Sequence, residues 1–132
     1  MTQRLVLALV PLLLLGGCLS AMAASKNTSR VRLNQVASLG LVHVTPLQVI
    51  EDSRCPRGVQ CVWAGQVRLR TSITTPSGEH ERALTMGQPQ SIGGGTLVLQ
   101  EVTPQQTAGT PIAPGDYSFV FHYTVPSVRR AN

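Results

Sequence analysis

The sequence predicts an all-β protein: a small β-sandwich of about seven strands, immunoglobulin-like in style, with a small β-barrel as the alternative. Three observations carry that expectation. From Val31 onward, apolar residues tend to recur at every second position, the period of a strand with one face buried. No stretch of ten or more residues there has helical spacing without a Pro or Gly inside it. Charged residues are only 13% of the chain, about half the usual share, while 12 Gly and 9 Pro supply turns.

Each strand has its own warrant. Val31 to Val36 and Leu41 to Val44 open the domain, Pro46 is expected to interrupt, and Leu47 to Glu51 resumes with Leu47 and Val49 on one face. Gln66 to Thr75 alternates most clearly, with Val67, Leu69 and Ile73 opposite Arg68, Arg70 and Ser72. Pro76-Ser77-Gly78 turns the chain, and His80 to Met86 returns antiparallel to it. Gly93-Gly94-Gly95 breaks the next segment before the strand Thr96 to Val102. A proline-rich loop from Pro104 to Gly115 leads to the last strand, where Tyr117, Phe119, Phe121 and Tyr123 share one parity. With Trp63 they are the only aromatic residues, so that strand is expected to anchor the core.

Ahead of the domain, the first 17 residues read as an export signal. A short segment holding Arg4 precedes the apolar run Leu5 to Leu15, expected to be helical and too short to span a bilayer. Leu15-Gly16-Gly17-Cys18 resembles the lipobox of bacterial lipoproteins, which implies diacylation of the Cys18 thiol and a membrane anchor through that lipid. Ala21-Met22-Ala23 offers the alternative, cleavage after residue 23 and plain secretion as a soluble periplasmic protein. Residues 18–30 are small and polar and read as a flexible tether, 31–126 as the β domain and 127–132 as a basic tail. Leu19 stands where an aspartate would resemble an inner-membrane retention signal, so the expected address is the outer membrane, facing the periplasm or the surface.

Cysteine arithmetic supports export independently. Lipidation consumes Cys18 or the alternative cleavage discards it, and Cys55 and Cys61 remain as an even pair in an oxidising compartment, a disulfide by default. They lie in the most specific run of the chain, EDSRCPRGVQCVWAGQV from Glu51 to Val67. Pro56 and Gly58 supply turn geometry inside the ring, and Trp63, which shares the parity of Cys61, is expected to pack beside the disulfide. Asp52, Ser53, Arg54, Cys55, Pro56, Val59, Cys61, Trp63, Ala64 and Gly65 match a DSRCPxxVxCxWAG signature that resembles that of a family of small bacterial secreted proteins and lipoproteins of uncharacterised function. The resemblance implies a compact, disulfide-bearing β domain behind an export signal and implies no reaction.

On residue chemistry the expectation is a non-enzymatic envelope protein, structural or binding an envelope partner or ligand, with no cofactor and no metal. GxSxG, HExxH and phosphate-cradling Gly loops are all absent, and the acids flanking His80, Glu79 and Glu81, have no nucleophile beside them in sequence. The alternative is a periplasmic copper module using reduced Cys55 and Cys61 with His43, His80, His122 and Met86, soft ligands suited to copper(I). A lesser alternative is a protease inhibitor that presents Arg57 on the stapled loop. Lysozyme inhibition is disfavoured because both partners would be basic, and export leaves no role for nucleic acid. Arg68 and Arg70 read as a solvated strand face.

Overall fold

The structure, a computed structural model, describes residues 27–127, in which all the regular secondary structure except one short 3-10 turn is extended. The segment read as an export signal, Cys18 and the last five residues lie outside this range. Eight strands form two antiparallel four-stranded sheets that pack as a sandwich and do not close into a barrel. In chain order they are β1 (Thr28–Val31), β2 (Ala37–Leu39), β3 (Val42–Asp52), β4 (Val67–Thr75), β5 (Gly78–Thr85), β6 (Gln90–Ile92), β7 (Gly95–Thr103) and β8 (Ser118–Thr124). One sheet has the order β1-β8-β7-β6 and the other β2-β3-β4-β5.

The aromatic strand is the centre of the first sheet. Phe119 and Phe121 are fully buried, with Tyr117 and Tyr123 nearly so, and they face Val44, Val67, Leu69 and Ile73 of the second sheet. Val120 points to the opposite face yet is also buried. Its neighbours across the sheet are Arg30 on β1 and Glu101 on β7, which form an ion pair at 3.0 Å over it. The aliphatic stems of these half-exposed residues shield Val120, a use of long charged side chains as apolar cover.

Three expectations need correction. Thr28 to Arg30 belong to β1 and not to the tether, because they complete the edge of β8 and place Arg30 over Val120. Pro46 does not interrupt: β3 runs through it, with a register irregularity between Pro46 and Gln48. The carbonyl of Pro46 accepts from the Asn34 amide at 2.8 Å on the side where β2 has already ended, so the missing N–H of proline removes no bond to β4. Val31 to Val36 is not a strand: β1 ends at Val31, the chain turns through Leu33 and Asn34, which has φ +63°, and pairing resumes only at Ala37–Leu39, which like Gln90–Ile92 is a strand of three residues, too short to announce itself by alternation.

Register also gives the sandwich two distinct poles. At one, Thr28 pairs with His122, Asn27 O accepts from Tyr123 N at 2.8 Å, and β8 ends beside the Gly93-Gly94 turn. Tyr123 pins that turn by donating its hydroxyl to the carbonyls of Ile92 and Gly93 at 2.9 and 3.1 Å. Both chain ends therefore leave the domain at this pole. The other pole holds the end of β3, the start of β4 and the approach to β8. Along one side of the second sheet, β5 is an edge strand whose first six residues are exposed.

Candidate functional site

The second pole carries the signature segment, and its construction begins with two charges. Asp52, the last residue of β3, and Arg54, two residues on, form a fork: Arg54 Nε donates to Asp52 Oδ1 at 2.8 Å and Nη2 to Oδ2 at 2.6 Å. Their side chains are only 5% and 11% exposed. The rest of the guanidinium reaches across to the other sheet, Nη1 to the Val102 carbonyl at 2.7 Å and Nη2 to that of Pro104 at 3.0 Å. Tyr117, at the mouth of β8, donates its hydroxyl to Asp52 Oδ2 at 2.9 Å, and Gln106 Nε2 donates to the Asp52 carbonyl at 2.8 Å. One carboxylate and one guanidinium thus stitch the stapled loop to the proline-rich loop and to β7.

Electrostatics follow from that geometry. Burial alone would raise the Asp52 carboxyl, but the hydrogen bonds from Arg54 and Tyr117 and the Arg54 charge outweigh it and hold it below the usual carboxylate value. The bond to Asp52 raises Arg54 against its desolvation. Tyr117 is pushed up to about 12, first by burial and then by its bond to the carboxylate. A pair so committed keeps its charges and has no proton to exchange near neutrality.

Above this foundation the chain from Ser53 to Gln66 closes on itself. Ser53 N donates to Gln66 O at 2.9 Å, Gln66 N to Ser53 Oγ at 3.0 Å and Cys55 N to Ala64 O at 3.3 Å. The Cys55–Cys61 disulfide expected from the sequence is present. Gly65 has φ +70°, and a Cβ there would lie 1.7 Å from the Ser53 carbonyl oxygen, so only glycine lets the two limbs approach. Arg57 ties the ring down from outside, its amide to Gln106 O at 2.9 Å and its Nε to Gln105 Oε1 at 2.9 Å.

Around Cys61 the loop presents three apolar side chains beside the exposed Gln60. Val59 is 46%, Val62 91% and Trp63 82% exposed. The expectation that Trp63 packs beside the disulfide is overturned: residues 61–66 form no strand, so shared parity fixes no shared face, and the indole turns to solvent. The signature divides into two jobs. Asp52, Arg54, Gly65 and the cysteines build the loop, half-buried Pro56 sits inside it, and Val59 and Trp63 are displayed.

The remaining sequence candidates do not converge. His43 on β3 contacts Ser38, His80 lies exposed on β5, His122 on β8 sits between Thr28 and Thr124, and Met86 follows β5 half-buried against the core. Among the described residues no three of His, Cys, Asp and Glu stand close enough to share a metal ion, and the disulfide withdraws both thiolates from the copper set. A groove of about 610 Å³ beside the stitch is lined in part by Leu33, Leu47, Val49, Ile112 and Tyr117. Asp52 faces it, with both carboxylate oxygens already engaged.

Tyr117 and Gln106 are site residues that sequence reasoning missed. A buried tyrosine hydroxyl needs a partner, which was a signal for Tyr117; nothing in the sequence pointed to Gln106. No protein-family model, curated protein or solved structure matches this chain.

Proposed function

We propose that this is a non-enzymatic, exported lipoprotein, anchored through Cys18, whose β-sandwich is a rigid mount for the Cys55–Cys61 loop and whose partner is another protein of the cell envelope. The observation that carries the reading is the exposure of Val62 and Trp63 on a loop held by a disulfide and by the Asp52–Arg54–Tyr117 stitch. Solvent-facing tryptophan and valine gain nothing for folding, and a preorganised apolar tip loses little entropy on docking. Val59, Val62 and Trp63 outnumber the one exposed amide among them, Gln60, and that balance favours a protein surface with an apolar recess over a sugar or a polar metabolite. Arg57 is turned onto Gln105 and the chain reverses at Gly58, φ +75°, so the loop is a poor match to an extended segment offering Arg57 to a protease.

Two measurements test this. Labelled palmitate should enter the protein and be lost in Cys18→Ser; an unlabelled protein with its N-terminus at Ala24 defeats the anchor. A photoreactive residue at position 63 in intact cells should give a discrete protein adduct that weakens in the Cys55→Ser/Cys61→Ser variant. Crosslinking no greater than from position 77, an exposed turn at the other pole, defeats the binding loop.

A further inference from the structure

We infer that the groove beside the stitch is a peptide site, in which an extended segment of another protein, apolar at every second residue and basic at one end, adds a strand to the free edge of β3. The site is separate from the exposed loop tip and stands whether or not the tip binds anything.

β2 pairs with β3 only from Val42 to Val44, and past that point β3 runs on to Asp52 with β4 on one side and no strand on the other. Which backbone groups face the open side follows from β4. Val67 O accepts from Met86 N at 2.9 Å, so Val67 turns its backbone toward β5, and Leu69 and Thr71, at every second position, do the same. The residues opposite them, Asp52, Val49 and Pro46, therefore turn theirs to the open side. Two of the three carbonyls are answered there, that of Pro46 by the Asn34 amide at 2.8 Å and that of Asp52 by Gln106 Nε2 at 2.8 Å. Val49, between them, has no partner for its N–H or C=O among the described residues. Ile50, left unpaired by the register shift beside it, is 47% exposed.

This edge lies in the groove of about 610 Å³, where Leu33, Val49 and Ile112 pack partly buried against the core and the loop before β8 contributes Pro111 and Pro114. The stretch from Leu47 to Asp52 is about 20 Å long, room for a segment of about six residues.

Apolar walls around one free amide and one free carbonyl select the occupant. A hydrocarbon chain would bury the Val49 groups unanswered, at the full cost of desolvating them. A sugar would set hydroxyls against Leu33 and Ile112. An extended polypeptide brings a donor and an acceptor on one residue, with alternate side chains to fill the space on either side. A second folded copy fits worse, because the loop from Gln106 to Tyr117 stands beside each free edge and keeps two copies of β3 from coming alongside. Charge narrows the choice further. The charged lining residues are Glu51 and Asp52; Arg54 answers Asp52, whereas Glu51 is met by the neutral Ser53 and Gln66, which leaves its charge for a basic residue of the segment.

The probe is a phage-displayed library of random decapeptides, selected on the purified full chain carrying Cys18→Ser, which has no acyl group of its own to fill the groove. Selected peptides should alternate apolar residues and carry Lys or Arg at one end. The most enriched, once synthesised, should slow hydrogen exchange of the Val49 amide at least tenfold at saturation and bind Trp63→Ser as it binds the parent. Glu51→Gln should weaken it several-fold; unchanged binding there overturns the basic end. Methylating every second amide nitrogen of the peptide blocks one of its two edges, so one such form should keep its affinity and the other lose at least tenfold. Equal affinity of the two forms, strong or weak, overturns the added strand, as does a selection that yields no peptide. Peptides lost with Trp63→Ser place binding at the loop tip and overturn the groove. Protection of Val49 that rises with protein concentration and needs no peptide gives the edge to a second copy and overturns the partner.

Discussion

Arg54→Ala tests the foundation of the site. The substitution removes two bonds from the Asp52 carboxylate, leaving it only the Tyr117 hydroxyl and the backbone, and strips the Val102 and Pro104 carbonyls of their side-chain donor. Breaking a buried pair from one side typically costs about 3–5 kcal/mol, because a charge remains without its partner. A domain of this size is stable by about 5–15 kcal/mol in all, so the variant should fold with a much lower urea midpoint and an unchanged slope. The loss should depend on pH with a definite sign. In the native protein the carboxyl of Asp52 is held low, so its stabilisation is complete above the unfolded value near 4 and fades as pH falls through the lower folded value. Arg54→Ala leaves burial to raise that carboxyl, and a protonated Asp52 tolerates the missing guanidinium. The gap between the two proteins should therefore shrink at pH 3, toward the cost of the orphaned carbonyls alone, about 1–3 kcal/mol for that of buried Val102. Urea titrations at pH 7 and pH 3 decide it. A loss below 1 kcal/mol at pH 7, or one equal at both pH values, refutes the account of the pair.

Gly65→Ala should destabilise by several kcal/mol or prevent folding, since its methyl would overlap the Ser53 carbonyl in a left-handed backbone; a circular-dichroism melt within a few degrees of the native one contradicts this. Cys55→Ser/Cys61→Ser should cost about 2–2.5 kcal/mol, the entropy of a seven-residue ring, measured by urea unfolding, and leave the sheets intact. Tyr117→Phe should cost about 1.5–3 kcal/mol at neutral pH, the range for a hydrogen bond to a charged acceptor, again read from urea midpoints. Tyr117 is raised to about 12, so its share is complete below pH 10 and lost between about 10 and 12; over that interval the native protein should weaken toward the variant.

Much of the fold was legible because strands write themselves in period two. The segments around Val67–Ile73 and Phe119–Tyr123 alternate cleanly, and both form central strands whose inward residues are buried. Edge elements were harder. Thr28–Val31 and Gln90–Ile92 each bury a single apolar residue, which leaves no alternation to see. Pro46 misled because the usual objection to proline assumes a partner on both sides, and β2 had stopped short. At the site, the local pattern grouped Asp52, Arg54, Gly65 and the two cysteines, and the cysteines are joined as expected. Their partners Val102, Pro104, Gln106 and Tyr117 lie 48 to 65 residues further along, and proximity of that kind arises only when the two sheets close.

β5 bears on how copies of this protein behave when crowded together. It is the longest edge strand among the described residues, a natural template for joining sheets end to end. Two copies related by a two-fold axis through that edge must set residues of equal parity opposite each other, since the axis preserves the faces of the sheet. Centred on His80, the pairing brings Glu79 against Glu81 twice; centred on Glu81, it stacks that residue against itself. Like charges directly opposed on a sheet repel. The same acids that looked idle as chemistry thus make the edge a poor seed for aggregation, and a dense population of such domains could share a surface without fusing into ribbons.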